Sequence, residues 1–347
     1  MTGQPLLDIR GLCVSYRTSS GEVRAVQDVD LALRAGEIVG LAGESGSGKS
    51  TLAYGVCRLL RPPAVITGGE VTYHGRRAAG GTIDLLDATA GQLRSLRWRE
   101  VAIVFQSAMS ALNPVLRVGD QIGDVIRAHT SISRDEQRDR VHRVIDLVGI
   151  PRNRLRSYPH ELSGGMRQRV MIAMALVLDP EIVIMDEPTT ALDVVVQREI
   201  LAQVVELKER LGFTVLFITH DMSVLMEISD RIAVMYAGRL MEIADAATIR
   251  TAPVHPYTQG LLGSFPSLRG PKRELAWIPG SPPDLTIEIP GCPFAPRCPH
   301  AAGRCASVPM TLEPAATGVV HLTACPVRNP ANAPAGQHAV AGTEVGE

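Results

Sequence analysis

Gly43-Glu-Ser-Gly-Ser-Gly48-Lys49-Ser50 decides how the rest of this chain is read. It follows the apolar run Ile38 to Ala42. It precedes Lys49 to Leu60, where Leu52, Val56, Leu59 and Leu60 recur at a helical period. A Gly-x-x-x-x-Gly-Lys-Ser stretch between a strand and a helix is a P-loop in its required context. Glycines and serines let backbone N–H groups close around a phosphate, and the following helix turns its positive end toward the same point. Lys49 supplies a point charge for the β- and γ-phosphates and Ser50 a hydroxyl for Mg²⁺. Lysine is scarce here, three of 35 basic residues (Lys49, Lys208, Lys272), and the rest are arginine. A compact ammonium in such a chain argues for function, because a planar guanidinium replaces it poorly.

The second half of a phosphate site lies 137 residues beyond Lys49. Ile182-Val-Ile-Met185 is a short apolar strand that ends in Asp186-Glu187. A buried strand closing on two carboxylates delivers them to the sheet edge where α/β folds bind ligands. Asp186 is expected to hold Mg²⁺ through water, and Glu187 to orient or polarise the attacking water.

Around these motifs the chain alternates between strands and helices. The first 80 residues read as short strands and turns, and residues 107 to 165 as mostly helical. Ser133 and Glu136 form a capping box ahead of Val141, Val144, Ile145 and Val148, with Gly149 as the stop. From 170 to 240 a strand at Ile182–Met185, a helix near Val194–Leu211 and strands at Val215–Thr219 and Arg231–Tyr236 imply a mainly parallel sheet covered on both faces.

Composition bounds the rest. The 347 residues are 45% hydrophobic, enough for about two domains. A net charge of -1 argues against a nucleic-acid partner, which calls for a basic excess. The longest apolar run, Val170 to Leu178, has nine residues, far short of the roughly 20 that span a bilayer. No apolar h-region follows Asp8 and Arg10, so a cytosolic protein is expected, reaching any membrane through partners.

After residue 250 the character changes. Ala252 to Pro330 holds 15 of the 24 prolines and four of the six cysteines, a density that forbids long helices and central strands. Cys292-x5-Cys298-x6-Cys305-x19-Cys325 lacks the Cys-x2-4-Cys pair usual for zinc. A disulfide framework does not suit a cytosolic chain. Cys292, Cys298 and Cys325 each precede proline, a context also found at iron–sulfur ligands. A [4Fe–4S] cluster, zinc and free thiols remain the three readings. Residues 331–347, Ala/Gly-rich and without aromatics, are expected to be disordered.

Between the phosphate motifs lies Leu162-Ser163-Gly164-Gly165-Met166-Arg167-Gln168, which resembles the signature of ATP-binding cassette ATPases, with Met166 where glutamine is most frequent. Gln106 resembles their Q-loop, Ala191-Leu192-Asp193 their D-loop and His220 their switch histidine. Tyr16, 27 residues before Gly43, resembles the aromatic that stacks on adenine. The resemblance implies a P-loop (RecA-like) α/β core with an antiparallel β subdomain and a helical subdomain, over residues 1–250 (helical part about 107–165), followed by a small Cys/Pro-rich domain at 251–330. It implies ATP held by Tyr16, Gly43, Ser45, Gly46, Ser47, Gly48, Lys49, Ser50, Thr51, Gln106 and Asp186. Mg²⁺ would sit on Ser50, Gln106 and Asp186, with Glu187 and His220 catalytic. Ser163, Gly164, Gly165 and Asp193 would complete the ATP site of a partner cassette.

Finer features are similar to one branch, the ATPase subunits of dipeptide and oligopeptide importers. They are Ser110-Ala-Leu-Asn113-Pro114, Val118-Gly-Asp-Gln121-Ile122, His255-Pro-Tyr-Thr258, Pro279-Gly-Ser-Pro-Pro283 and the Cys292–Cys298 segment. Nickel and glutathione importers share much of this pattern. The branch implies a second, paralogous ATPase subunit, two transmembrane permease subunits, an extracytoplasmic peptide-binding protein, and a peripheral place on the cytoplasmic face of the inner membrane. Some members carry an iron–sulfur cluster, which implies Cys292, Cys298, Cys305 and Cys325 as its ligands. A soluble cassette ATPase acting on ribosomes or DNA fits less well, because neither a second cassette nor a long coiled coil is visible.

Overall fold

Imperfect alternation at the start of the chain has a geometric cause. In the computed structural model, β1 (Leu7–Thr18) and β2 (Gly21–Leu33) form a long antiparallel pair whose register slips between Ile9 and Leu12 and again before Ser15. Each slip changes the face on which later side chains fall, so two long bulged strands read as several short ones. The structure describes residues 4–19, 21–75, 81–106, 111–190, 192–264, 278–315 and 321–329. The segment 331–347, expected to be disordered, lies outside them.

β3 (Ile38–Ala42) leaves for a second sheet, while β4 (Ala64–Tyr73) and β5 (Ile83–Asp84) complete the first in the order β2-β1-β4-β5. The second sheet is parallel where β6 (Val101–Val104), β7 (Ile182–Asp186), β8 (Thr214–Ile218) and β9 (Arg231–Tyr236) join β3 in the order β9-β3-β8-β7-β6. Every residue of β3, β7 and β8 is buried, as continuous apolar strands covered on both faces should be. β10 (Arg239–Asp245) turns back antiparallel on β9.

The helices supply that cover. α1 (Lys49–Val56) follows the P-loop, and α2 (Ala90–Leu96) closes the first sheet's connection. The 107–165 region is helical in its described part, with α3 (Val118–His129), α4 (Arg134–Leu147) and two 3₁₀ turns. Ser133 caps α4 by accepting from Glu136 N at 3.2 Å, as the capping box requires. α5 (Gly164–Leu176), α6 (Val194–Leu211), α7 (Met222–Ile228) and α8 (Ala246–Thr251) alternate with the later strands.

The proline-rich end does not stand apart. Pro256 occupies the first turn of α9 (Pro256–Gly263), the one helical place where a missing N–H costs nothing. Short strands β11 (Glu313–Pro314) and β12 (Leu322–Thr323) extend the large sheet beyond β10. Cys292, Phe294, Cys305, Met310 and Ala324 join the same apolar cluster as α3, α5 and β8. Glu242 on β10, with no exposure at all, fastens this end: it accepts from Val254 N at 2.6 Å and His255 N at 3.1 Å, and meets His321 Nε2 at 2.7 Å. Burial holds His255 down at about 4, so its ring is neutral and Nδ1 accepts from Tyr257 N to cap α9. Among the described residues no helix is long and apolar enough to cross a membrane.

Glu242→Leu would leave the Val254 and His255 N–H groups and the His321 ring without their acceptor. A loss of about 2–4 kcal/mol is expected, read as a lower urea midpoint at unchanged slope. An unshifted midpoint would remove Glu242 as the anchor.

Candidate active site

Residue 43 is where a buried strand must turn into a helix while touching its neighbour. A Cβ on Gly43, whose φ is +150°, would lie 2.1 Å from the Met235 carbonyl oxygen on β9. One on Gly48, with φ +103°, would lie 2.2 Å from the carbonyl oxygen of Ala25. Only glycine satisfies both the dihedral and the approach. Gly46 differs, with φ +78° but nothing within 4 Å of its would-be Cβ, and Ser45 beside it is exposed. The loop is therefore anchored at its two ends and open at its tip.

Lys49 is buried beneath that tip. Its Nζ donates to the carbonyls of Gly43 and Glu44, each at 2.8 Å, and stands 3.4 Å from Ser47 Oγ. Burial lowers its pKa, while Glu187, Asp186 and Glu44 pull it back up. At the end of β7, Asp186 is wholly buried. Oδ1 accepts from Ser50 Oγ at 3.0 Å, and Oδ2 is buried with no hydrogen-bond partner. Burial raises this carboxyl, with the neighbouring Ser50 and Tyr54 hydroxyls working against it. A buried carboxylate oxygen left over beside a serine hydroxyl is the donor chemistry a hard divalent cation takes, so these residues fit Mg²⁺.

Glu187 holds a left-handed backbone, φ +44°, with its N–H donating to Ile218 O at 2.9 Å. A non-glycine residue there is strained and persists where its surroundings over-determine it. They do. Oε2 accepts from Gln106 Nε2 at 2.9 Å and Thr190 Oγ1 at 3.0 Å, and Oε1 is 3.3 Å from His220 Nδ1. Gln106 follows β6, Glu187 follows β7 and His220 follows β8, three neighbouring parallel strands. Parallel strands end at one edge, so residues 81 and 33 positions away from Glu187 meet there. His220 is largely exposed and faces outward.

The other expected residues fall in two groups. Tyr16 meets the start of α1, its hydroxyl 3.1 Å from Thr51 Oγ1. Ser163 caps α5, accepting from Met166 N at 3.3 Å, and Asp193 caps α6, accepting from Val195 N and Val196 N at 3.1 and 3.0 Å. A Cβ on Gly165 would sit 2.6 Å from Val196 Cγ1, so the start of α5 rests closely on α6. Among the described residues, Ser163, Gly164, Gly165 and Asp193 make no hydrogen bond to the P-loop or to Glu187. Ala191 lies outside the described residues.

Three participants were not anticipated. Thr190 could have been found, since a hydroxyl three residues after a strand-end carboxylate falls on the same turn. Tyr54, whose phenol is pushed up by burial and then by Asp186, looked like one more polar point on α1. Arg297, which donates to Glu44 Oε2 at 3.0 Å, carried no local signal at all.

The four C-terminal cysteines converge. Cys292, Cys305 and Cys325 are buried, Cys298 is half-buried, and none is in a disulfide. Burial pushes the Cys292 thiol up to about 11, with Cys305, Cys325 and Cys298 adding to it. Cys298 rises for the same reasons. Backbone N–H groups of His300, Ala302 and Arg328 point at the sulfurs of Cys298, Cys305 and Cys325 at 3.4, 3.5 and 3.2 Å. The expected iron–sulfur ligands thus share one neighbourhood, yet among the described residues no group of three or more His, Cys, Asp or Glu is arranged to hold a metal ion.

Comparison with known proteins places this geometry. The ABC transporter family model matches residues 26–190, and the model of the oligopeptide/dipeptide transporter C-terminal region matches 241–305. The oligopeptide transport ATP-binding protein OppD of Escherichia coli is 45% identical over 306 residues, 88% of each chain. The dipeptide transport ATP-binding protein DppD of Bacillus subtilis is 44% identical over 300 residues, 86% of this chain and 88% of its own. Among solved structures, a dimeric bacterial ABC transporter cassette superposes with a TM-score of 0.60 at 28% identity, covering 69% of this chain and 98% of that one. The same cassette in a post-hydrolysis dimer bound to ADP and Pi matches equally well. With both regions matched in order and relatives aligned across most of their length, the chain belongs to the ATP-binding subunits of the oligopeptide/dipeptide ABC transporters.

Proposed function

We propose that this chain hydrolyses ATP in a pocket shared with a second cassette and so drives uptake of short peptides through two membrane permease subunits. The observation that carries the hydrolytic part is Glu187, gripped by Gln106 and Thr190 on one oxygen and by His220 on the other. Phosphoryl transfer asks the protein for charge neutralisation and one aligned water rather than for covalent chemistry. Lys49 would exchange its two loop carbonyls for the β- and γ-phosphates, joined by the N–H groups of Ser45, Gly46, Ser47 and Gly48. Ser50, Gln106 and Asp186 would hold Mg²⁺, which supplies further neutralisation of phosphate charge when bound. Glu187 would orient the attacking water, with His220 steadying the carboxylate from the solvent side. Tyr16, beside Thr51, offers its ring to adenine.

The remaining parts act across a dimer. α5 presents its amide end through Ser163, Gly164 and Gly165, and an amide end favours an anion. Asp193 sits beside Val194 and Val195, which are 69% and 68% exposed. Apolar side chains left in solvent next to the D-loop support contact with another cassette. The γ-phosphate would bridge the two halves, and its loss would let them part. Val115, 74% exposed in the helical region after Gln106, supports docking of the permeases there.

The cargo rests on the relatives, named for oligopeptide and dipeptide transport; nickel or glutathione import is the alternative. The assignment further includes a paralogous partner ATPase, an extracytoplasmic binding protein and a peripheral place on the cytoplasmic face of the inner membrane. It divides the chain into a cassette at 1–250 and a C-terminal region at 251–330. It also assigns Cys292, Cys298, Cys305 and Cys325 to a [4Fe–4S] cluster, or else to zinc, supported by their convergence and by the N–H groups aimed at three of the sulfurs. Raised thiols would need the charge of such a centre to ionise.

Glu187→Gln should keep ATP binding, slow phosphate release by about 100-fold or more, and accumulate an ATP-dependent dimer on size exclusion. Unchanged turnover would reject Glu187 as the group that orients water. Anaerobically purified protein should contain iron and sulfide and lose its brown colour in Cys298→Ser; a colourless wild type containing zinc would decide against the cluster. Vesicles carrying the permeases, this chain and its partner ATPase, with the binding protein outside, should accumulate labelled peptide only with ATP inside. Nickel or glutathione uptake without peptide uptake would select the alternative.

A further inference from the structure

We propose that Arg297 is a positioning residue for the nucleotide site, holding Glu44 so that the cysteine-rich segment sets the geometry of the P-loop. This rests on the reading of that loop as the ATP site. Glu44 and Arg297 are 253 residues apart in sequence and 3.0 Å apart in space.

The arginine is held on every side. Its side chain is 7% exposed. Nε donates to Pro279 O at 2.7 Å and Nη2 to Ile278 O at 3.3 Å, while Nη1 reaches Glu44 Oε2 and the Tyr236 hydroxyl, each at 3.0 Å. The guanidinium also lies over the Tyr236 and Phe294 rings at 5.7 and 6.0 Å. A planar fork with its donors so committed fixes whatever it grips.

What it grips is the first variable residue of the phosphate loop. Glu44 is held a second time from the same region, its N–H donating to the buried Tyr257 hydroxyl at 3.0 Å. Its carbonyl in turn accepts from Lys49 Nζ at 2.8 Å. Side chain and main chain of one P-loop residue are thus fixed by residues beyond position 250, one bond away from the phosphate-binding lysine. Glu44, Arg297 and His220 also line one cavity of about 300 Å³.

The consequence falls on affinity. Gly46, with open space around it, leaves the tip of the loop many conformations, and ordering a loop at the moment of binding weakens binding. An ion pair that orders it beforehand removes that penalty. Removing one partner of so sheltered a pair also leaves the other charge unmatched. Coupling is reciprocal, so nucleotide should in turn steady the Ala295–Cys298 segment. A role confined to fastening the C-terminal end would lower thermal stability without touching affinity.

The test uses the full chain with Glu44→Gln, Arg297→Met, both together, and Lys49→Ala. Binding of a fluorescent ATP analogue, KM and kcat for ATP, and the thermal midpoint are measured. Each of the first two should weaken nucleotide binding by about five- to tenfold, the loss falling on KM rather than on kcat. The pair should be no worse than the poorer single variant. ATP should slow amide exchange at Ala295–Cys298 in the wild type and not in Glu44→Gln. Wild-type affinity in Glu44→Gln, with Lys49→Ala unable to bind, overturns the role of Arg297 and leaves the P-loop reading intact. Normal binding by Lys49→Ala overturns both. Glu44, at the more exposed side of the pair, decides the matter even if Arg297→Met does not fold.

Discussion

One buried ammonium balances the nucleotide edge of the large sheet. Lys49 is 5% exposed, and burial lowers its pKa; Glu187, Asp186 and Glu44 oppose that. Asp186 gains from the ammonium in turn, because burial penalises its carboxylate and Lys49 opposes that. The lysine is tethered for the present to two loop carbonyls. Phosphate oxygens can replace those acceptors without a change in what surrounds the charge. This is preorganisation in the electrostatic sense, in which the polar groups stand in place before the charge they serve arrives.

The parallel sheet makes that crowding possible. β6, β7 and β8 lie side by side and run the same way, so the residues that follow them, Gln106, Glu187 and His220, emerge together. Each arrived from a separate stretch of sequence: Glu187 was readable from the end of its own apolar strand, whereas Gln106 and His220 stood out only through their resemblance to the cassette motifs. The P-loop, like Glu187, was readable locally. What could not be read was anything that depends on register or distance. The bulges in β1 break the alternation that announces a strand. Glu242, a charge in the middle of β10, looks like a solvent-facing residue until the N–H groups of residues 254 and 255 are seen to need it. Arg297 was one of 32 arginines, and no pattern ties it to a loop 253 residues earlier.

The C-terminal region is the larger case of the same limit. Its prolines suggested a segment without regular structure of its own, and locally that is nearly so. Proline-rich chain loses little entropy on ordering, so a few strong anchors can hold it: Glu242, Arg297, and the Tyr236, Tyr257 and Phe294 rings, whose centroids lie 4.5 to 5.5 Å apart. Composition shows that such a segment cannot build a core. It does not show that the segment borrows one, as Cys292, Phe294 and Cys305 do by joining the cluster beneath the sheet.

The division of the site follows from where its pieces are rigid. Glu187, the strained residue, is fully braced within the chain, so the carboxylate proposed to orient water would not wait on a partner for its own orientation. Ser163 and Asp193 are braced too, but by capping their own helices, and among the described residues neither bonds to the P-loop. On the proposed reading, a second cassette need not reshape either half; it would bring a preformed amide end to the open tip at Ser45 and Gly46. Rigid halves joined by the substrate convert the presence or absence of one phosphate into the presence or absence of a contact. In the proposed assembly that conversion would give the chain leverage on a membrane partner, since a compliant site would absorb the change locally and transmit nothing.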